Sequence, residues 1–509
     1  MKLSLVTLAT AVILGTSVLT GCGSGSGDSS NNSPINNLPA QNIAVEYQGV
    51  WASPANGKVW QITSNNVSGF SYTSDFCIKT DELEGISNAE LSTYLRLSAD
   101  GNSLEEYTLS SQSGFNQLLQ TFEKATALPN ACINNLVALK GQQGYQYNAE
   151  RDFDMFYQLF AEHYVDFGLK DVDWPGLYAQ IAPLLNTASN EQELFEAIAE
   201  MLTPLADSHN SIIFENGTSF NVNNKPLMYQ VLIQEYAQNN GLPFPLEEDD
   251  LTPAIAAQIN QYIDQQIQAF YGVVDGYAEN QNQIKTAANG QFVWFETNGV
   301  GYLRINNMAY FTEQNDADIP QYLFDAWYEA LNEALDQVID DFANTQGLII
   351  DIRTNGGGQE TLSLAIAGRF ADQTRHAYSK QTRLGSDKTA LNQVFVEPLG
   401  DSQYTGNIVV LTSATTTSAG EYFAQTMSVM PHVTLVGEAT QGALSTTLDW
   451  ILPVGFELKL SNQFFYNPQG QWLEGSGISV DVEVPFLELE DRENDIDTAI
   501  ETAAQLLLQ

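Results

Sequence analysis

The apolar residues in the C-terminal half of the chain alternate between short continuous runs and helical spacing. The run Gly347–Ile350 continues through Asp351-Ile352-Arg353 into three consecutive glycines, Gly356–Gly358. This is typical of a buried strand that ends in a loop of close backbone approach. Helices are predicted over Leu362–Phe370 and Ala326–Phe342, and further strands over Gly301–Ile305, Ile408–Leu411, Val433–Val436, Trp450–Leu452 and Phe456–Leu460. Strands that alternate with helices predict an α/β core.

A different pattern precedes this core. Aromatic residues recur at helical spacing from Phe153 to Tyr164, and two more amphipathic helices are predicted over Trp174–Leu185 and Glu191–Leu202. Asn190 and Glu193 form a capping-box pattern at the start of the latter. The segment Leu227–Asn289 is Gln- and Ala-rich and predicts helix without a recognisable motif.

Short strand-like runs separated by Gly, Asn and Ser clusters fill the region from Val45 to Lys140 and predict a small, mostly β domain. Trp51 and Trp60 are expected in its core. Two cysteines, Cys77 and Cys132, lie in this domain, and in an oxidising compartment they predict a disulfide; two free buried thiols are the alternative. The cysteines are too few for a structural zinc site, and we predict no metal and no cofactor.

The N-terminus predicts a processing segment rather than folded structure. An apolar run over Leu3–Leu19 ends in Leu19-Thr20-Gly21-Cys22, which resembles a bacterial lipobox in which Cys22 is lipidated. Gly23 at the next position favours the outer membrane over the inner one, by resemblance to enterobacterial sorting. The Gly-, Ser- and Asn-rich stretch that follows predicts a flexible tether. We therefore expect a cell-envelope lipoprotein whose membrane contact is the lipid anchor.

Length and charge narrow the classes of function. The 509 residues are too many for one core. We divide the chain into a signal peptide (1–22), a linker (23–44), a β-rich domain (45–148), a helical subdomain (149–290) and an α/β core (291–509). The net charge of −43 arises from 62 acidic and 19 basic residues. Such a surface repels nucleic acid, so no nucleic-acid partner is expected.

The glycine run directs backbone N–H groups at a negative or developing negative charge. No Lys-Ser/Thr pair follows the glycines, which excludes a phosphate loop, and the spacing of a dinucleotide fingerprint is absent. Two interpretations remain: an oxyanion-binding wall for acyl transfer, or a tight turn that lets strand and helix pack.

A serine stands where such a wall needs a nucleophile. Ser418 follows the strand Ile408–Ser413 and precedes an apolar helical run. Ser418 and Glu421 form a capping-box pattern, which alone explains a serine there. A helix N-terminus also favours negative charge, and the N–H of Ala419 could help to bind an oxyanion. The chain has no G-x-S-x-G elbow, which disfavours an α/β-hydrolase.

A serine nucleophile needs a base, and the chain has four histidines. His163 lies on the aromatic helix and is expected to be structural. His376 lies in a polar stretch, and His432 lies in a loop before a strand. His209 closes a helix inside the polar cluster Asp207-Ser208-His209 and is the favoured base.

Four blocks in this order resemble the C-terminal processing (tail-specific) serine protease family. Asp351–Gly358 is similar to its D-[LI]-R-x-N-x-G-G signature and Thr417–Glu421 to its nucleophile turn. Val436–Gly442 is similar to V-G-E-x-T-x-G, and Gly475–Asp481 to G-x-G-[IV]-x-P-D with Val480 in place of proline. Ala443 stands where members with a Ser–Lys dyad carry lysine. No clear PDZ-like segment is present.

The missing lysine favours the tricorn-like branch, in which serine, histidine, a second serine and glutamate act together. The resemblance implies Ser418 as nucleophile, His209 as base and Ser208 with Glu474 as supporting pair. It also implies a crotonase/ClpP-like α/β catalytic core and unstructured polypeptide substrates. Two alternatives stay open: a carrier of hydrophobic ligands, like the similar repeats of interphotoreceptor retinoid-binding protein, and an inactive structural lipoprotein.

Overall fold

The computed structural model describes residues 42–107, 118–214, 217–222, 227–246, 250–313 and 321–509. The predicted signal peptide with Cys22, and nearly all of the predicted tether, lie outside the described residues. None of the described helices combines the length and apolar character that a membrane crossing requires.

An eight-stranded sheet occupies the N-terminal part, as the short strand-like runs predict. Its elements are β1 (Gly49–Ser53), β2 (Lys58–Ile62), β3 (Asn66–Tyr72), β4 (Cys77–Glu84), α1 (Asn88–Tyr94), β5 (Leu95–Leu97), β6 (Ser103–Tyr107), β7 (Leu118–Ala125), α2 (Asn130–Asn134) and β8 (Leu136–Val137). Trp51 is fully buried in its core. A disulfide joins Cys77 on β4 to Cys132 on α2.

Three amphipathic helices follow: α3 (Ala149–His163), α4 (Trp174–Ile181) and α5 (Glu191–Leu202). The aromatic stripe of α3 is buried, and Asn190 and Glu193 form the predicted capping box of α5. The helix α4 ends earlier than predicted, because Pro183 lies in a 3₁₀ turn over Ala182–Leu184. The strands β9 (Ser211–Ile213) and β10 (Ser219–Asn221) come next.

The Gln-rich segment forms two helices, α6 (Leu227–Asn239) and α7 (Pro253–Gly276), whereas the helix predicted for its end is wrong, because Lys285–Ala287 is a strand. Thr252 caps α7 by accepting a hydrogen bond from the N–H of Ile255, and Pro253 opens the helix. We call α6 and α7 together the helical pair.

The remaining residues supply the α/β core. Its elements are β11 (Lys285–Ala287), β12 (Phe292–Thr297), β13 (Val300–Ile305), α8 (Gln321–Phe342), β14 (Leu348–Asp351), α9 (Glu360–Gly368), β15 (Arg375–Leu384), β16 (Asp387–Lys388), β17 (Asn392–Val396), β18 (Ile408–Thr412), α10 (Ala419–Ser428), β19 (Val433–Gly437), β20 (Thr447–Ile451), β21 (Glu457–Ser461), β22 (Gln463–Tyr466), β23 (Val482–Glu483), α11 (Leu489–Asn494) and α12 (Thr498–Leu507). These bounds confirm the predicted strands. The helix α9 begins at Glu360, two residues before the predicted start at Leu362.

Seven strands of the core form one sheet in the order β11-β12-β13-β14-β18-β19-β23. The strands from β13 to β23 pair in parallel. Alternate residues of β14 enter opposite hydrophobic clusters: Leu348 and Ile350 face one cluster, and Ile349 faces the other. The sheet is therefore covered on both faces, which explains why its strands read as continuous apolar runs. The chain has a mixed α/β fold, as predicted.

A smaller sheet joins distant parts of the chain. It has the order β10-β9-β21-β20, and Lys459 on β21 lies opposite Ser211 on β9. This pairing holds the segment that precedes β9, including His209, against the α/β core.

Candidate active site

Two loops lie side by side at the carboxyl edge of the central sheet, because β14 and β18 are adjacent parallel strands. The first loop carries the glycines and the second carries Ser418. Hydroxyl groups of the second loop bind backbone carbonyls of the first: Ser413 Oγ donates to Arg353 O at 2.6 Å and Thr416 Oγ1 to Ile352 O at 2.9 Å. These bonds fix the two loops relative to each other.

Ser418 has an unusual backbone conformation, with φ 53° and ψ −122°, immediately before α10. A non-glycine residue held there costs about 1–3 kcal/mol, which the surroundings must offset. The N–H of Ser418 donates to Glu421 Oε2 at 3.0 Å, and the N–H of Glu421 donates to Ser418 O at 2.8 Å. The side chain therefore leaves the chain at a sharp turn, at the positive end of the helix dipole.

Gly357 lies in direct contact with this turn. A Cβ added to Gly357 would come within 2.8 Å of Ser418 Cβ and 3.0 Å of Thr417 O, and its φ is +103°. The N–H of Gly357 donates to Asn355 Oδ1 at 2.9 Å, and Asn355 Nδ2 donates to Ile305 O at 3.0 Å. The Asn355 side chain thus ties the glycine loop to the neighbouring strand β13.

The backbone N–H groups of the glycine loop are not equivalent. Met308 N donates to Gly357 O and Gln359 N to Met308 O, so Gly358 forms a parallel bridge with Met308. In such a bridge the N–H of Gly358 itself points away from the Met308 segment. The N–H of Ala419 opens α10 and has no partner within the described chain, as expected for a first helical residue. Among the described residues, the N–H groups of Gly358 and Ala419 therefore have no hydrogen-bond partner, whereas the N–H of Gly357 is already bonded to Asn355.

Glu421 is the buried centre of a hydrogen-bond network that the sequence does not predict beyond the capping box. Besides the Ser418 N–H, its carboxylate accepts from Thr440 Oγ1 at 2.6 Å, Gly442 N at 2.7 Å and Ala443 N at 2.9 Å. Burial raises its pKa to about 7, while these hydrogen bonds oppose the increase. The carboxylate therefore fastens the segment 440–443 to the start of α10.

Substituting Glu421 by alanine is expected to lower the free energy of unfolding by about 3–5 kcal/mol, because buried donors lose their acceptor. The folded-state pKa of about 7 exceeds the ordinary value of 4.5, so the Glu421 contribution is complete below pH 4.5 and declines as the pH rises through 7. Denaturant unfolding of wild type and Glu421→Ala at several pH values checks both statements.

The matched control is Glu193→Ala, since Glu193 occupies the same capping-box position on the exposed start of α5. Its expected cost is about 1 kcal/mol. Equal losses in the two variants would mean that Glu421 acts only as a local cap.

The segment 442–446 continues from Glu421 towards Glu474. Leu444 N donates to Glu474 Oε2 at 2.9 Å, and Tyr422 on α10 donates to Leu444 O at 2.5 Å. Burial raises the pKa of the Glu474 carboxyl well above its usual range, and the nearby carboxyls of Asp207 and Glu421 raise it further. One short segment thus connects the Ser418 helix with Glu474.

His209 lies next to the same segment, where it interacts with the backbone of Ser445. Its backbone N–H donates to Asp207 Oδ1 at 3.0 Å, and Tyr164 donates to Asp207 Oδ2 at 3.1 Å, which fixes the turn that presents the imidazole. Burial lowers the pKa of His209, Lys459 lowers it too, and Asp207 and the backbone of Ser445 oppose the decrease. The buried Nδ1 atom has no hydrogen-bond partner within the part of the chain that the structure describes.

The structure brings the predicted residues together to different degrees. Ser418, Gly357 and Glu421 are in contact, and Glu474 and His209 reach them through the segment 442–446. Within the described chain, Ser418 and His209 make no hydrogen bond with each other, and Ser208 makes none with His209 or Glu474. Catalytic hydrogen bonds are often long in the absence of substrate.

The other histidines make structural contacts. The ring nitrogens of His163 and His432 bind the backbone carbonyls of Ala55 and Phe370, at 3.0 Å in each case. His376 contacts Ser379 Oγ at 2.8 Å. Sequence reasoning missed Asp207 as the residue that shapes the His209 turn, although it stands two positions before the histidine.

Two stretches of the chain match known protein families. Residues 299–484 match peptidase family S41, and residues 145–203 match the tricorn protease C1 domain. The first match includes the glycine loop, Ser418 and Glu474. The second ends shortly before Ser208 and His209.

Curated relatives cover part of the chain. The carboxy-terminal processing protease CtpA of Bacillus subtilis is 23% identical over 211 residues, which are 39% of this chain and 44% of the relative. The carboxy-terminal-processing protease of Bartonella bacilliformis is 26% identical over 187 residues, 36% of this chain and 38% of the relative. The chain thus spans less than half the length of these relatives.

A solved structure is similar over a larger share. The crystal structure of a proposed peptidase from Parabacteroides merdae has a TM-score of 0.52 and 23% identity, and covers 72% of this chain and 98% of its own. At this identity the likeness concerns the fold alone.

Proposed function

We propose that this chain, which carries a peptidase family S41 domain and a tricorn protease C1 domain, is a serine endopeptidase that cleaves unstructured polypeptides. The observation that carries the proposal is the placement of Ser418. It stands in a strained turn at a helix N-terminus, with Gly357 packed against it and the first N–H of the helix, that of Ala419, at the next position. A cap alone would require neither the strain nor the glycine contact.

In the proposed reaction, Ser418 Oγ attacks the carbonyl carbon of a peptide bond while His209 takes the hydroxyl proton. The carbonyl oxygen becomes an oxyanion that the N–H groups of Gly358 and Ala419 bind. His209 then returns the proton to the leaving amine, and the acyl group remains as an ester on Ser418. Water, deprotonated by His209, hydrolyses this ester and restores the serine.

Glu474 and Ser208 are the proposed supporting pair. A protonated Glu474 suits this role, because a neutral carboxyl beside Asp207 and Glu421 can donate a hydrogen bond as well as accept one. Ser208 is half-buried next to His209, and in this proposal its hydroxyl turns towards the site when substrate binds. Asp207 is a third supporting group, because it accepts the backbone N–H of His209 and so holds the turn that carries the imidazole.

The finer assignments of architecture and location belong to the same proposal. We assign a crotonase/ClpP-like core to residues 291–509, a helical subdomain to 149–290 and a β-rich domain to 45–148. Lipidation of Cys22 would anchor the protein in the cell envelope, facing the periplasm or the cell surface.

Labelling with a fluorophosphonate probe tests the proposal. Protein from residue 23 onward is incubated with the probe and digested, and the labelled residue is identified by mass spectrometry. In a parallel assay, the same protein is incubated with unfolded casein. We expect the label on Ser418 and casein fragments that accumulate with time. Folded protein that is neither labelled nor proteolytic would overturn the proposal, and an apolar ligand released on denaturation would then identify a carrier.

Substituting Gly357 by alanine is expected to lower kcat about 100-fold, because its Cβ would displace Ser418 from the oxyanion donors. Steady-state cleavage of a fluorogenic peptide measures the change. Gly470→Ala is the control: Gly470 has φ +78° but open space around a Cβ, so it tests left-handed strain without the clash. Equal activity in the two variants would contradict the role of the Gly357–Ser418 contact.

A further inference from the structure

The helical pair contacts both loops of the candidate active site. Tyr271 on α7 donates a hydrogen bond to Thr354 Oγ1 at 3.0 Å, two positions before the glycine run. Thr415, three positions before Ser418, donates from its hydroxyl to the Sδ atom of Met228 on α6 at 3.7 Å. The pair lies outside both family matches, and the mechanism above makes no use of it.

Arg353, the residue before Thr354, also contacts α7. The Arg353 guanidinium stacks on Phe270 of α7 at 4.9 Å and on Phe486 at 5.3 Å from the ring centroids. It also forms buried ion pairs with Asp351 at 2.6 Å and Asp497 at 2.9 Å. Asp497 caps the C-terminal helix α12. The start of the glycine loop is therefore held by α7, by its own strand and by α12.

Tyr271 is itself held in place. The guanidinium of Arg304, on the neighbouring strand β13, lies 4.4 Å from the centroid of the Tyr271 ring. This contact fixes the direction of the phenol, so its hydroxyl meets Thr354 at a defined position. Thr354 is the third residue of a turn closed by Asn355 N and Ile352 O at 3.0 Å.

We infer that Tyr271 is a positioning residue for the oxyanion-binding loop. Its bond to Thr354 fixes the turn that orients Asn355, and Asn355 in turn holds the N–H of Gly357 at 2.9 Å. The N–H of Gly358 is the next along the chain. A small rotation of Thr354 is thus transmitted to the donor that binds the oxyanion. This inference rests on the proposed peptidase function and assigns the helical pair a part in it.

Removing either side of the bond tests the inference. The variants Tyr271→Phe, Thr354→Val and their combination are compared for kcat, KM, the rate constant of fluorophosphonate labelling and the thermal unfolding midpoint. We expect each single variant to lose about fivefold to tenfold in kcat and in labelling rate, with KM unchanged. The double variant should lose no more than either single one, because both remove the same bond.

Tyr262→Phe is the matched control. Tyr262 lies on the same helix and donates to Glu235 Oε2 on α6 at 3.1 Å. The control therefore also removes one tyrosine hydroxyl and one hydrogen bond, but this bond lies between the two helices. It should keep the wild-type kcat. If Tyr271→Phe behaves like Tyr262→Phe, or if the two single effects multiply in the double variant, the inference is wrong. A wild-type protein that takes no label contradicts the proposed function instead, before any variant is made.

Discussion

Ser418→Ala is expected to abolish proteolysis, with a fall in kcat of about 10⁴-fold or more, while the fold is retained. Without Oγ no acyl-enzyme forms, and the remaining N–H donors can accelerate only direct attack by water. Alanine keeps the backbone bonds of Ser418 to Glu421, and it suffers the same positive φ, so the unfolding free energy should change little. Casein cleavage, probe labelling and denaturant unfolding of the same preparation measure the three quantities.

The control for this substitution is Ser428→Ala at the opposite end of α10, where the hydroxyl donates to Gln425 O at 2.7 Å. It should retain cleavage and labelling. Residual cleavage by Ser418→Ala at the wild-type rate would identify either another nucleophile or a contaminating protease, and in both cases the nucleophile assignment would be abandoned.

The sequence predicts the position of this serine because parallel strands make local patterns informative about distant contacts. Continuous apolar runs at Leu348–Asp351 and Ile408–Thr412 indicate buried strands, and the loops after parallel neighbours share one edge. The Gly357–Ser418 contact follows from that geometry. Only the order of the two strands in the sheet had to be supplied by the structure.

Groups that act through long-range hydrogen bonds are harder to predict from the sequence. Ser418 and Glu421 give the same pattern as Asn190 and Glu193, yet only Glu421 is fully buried and accepts from Gly442 and Ala443. Spacing reports a helix cap but not what packs above it. Burial of the cap is a tertiary property, and here it makes a capping glutamate the centre of a buried hydrogen-bond network.

The helical pair illustrates a second limit. Its Gln- and Ala-rich sequence predicts helices but no motif, because the contact that matters is a single tyrosine hydroxyl aimed at Thr354. Tyr262 and Tyr271 lie on opposite sides of α7, but periodicity alone does not reveal which side faces the glycine loop. The position of each along α7 relative to the glycine loop decides which one can influence it.

His209→Ala is expected to reduce kcat by about 10⁴-fold, because the proposed mechanism then lacks the base that takes the Ser418 proton. In the wild type, the base must be neutral to act. Burial lowers the pKa of His209 below its ordinary 6.5, so the neutral form persists to lower pH, and the acidic limb of the kcat/KM profile should lie below pH 6.5. Measuring kcat/KM from pH 4.5 to 9 locates this limb.

Two further variants test whether the acidic limb of the profile reports the protonation of His209. His432→Ala removes a histidine that binds Phe370 O, and it should leave the rate and the acidic limb unchanged. Lys459→Met removes the cation that lowers the pKa of His209, so the limb should move to higher pH, towards the ordinary value. A limb that stays fixed in Lys459→Met, together with substantial activity in His209→Ala, would mean that His209 is not the base. The proton would then have to pass to another group, such as the Asp207 carboxyl beside the histidine.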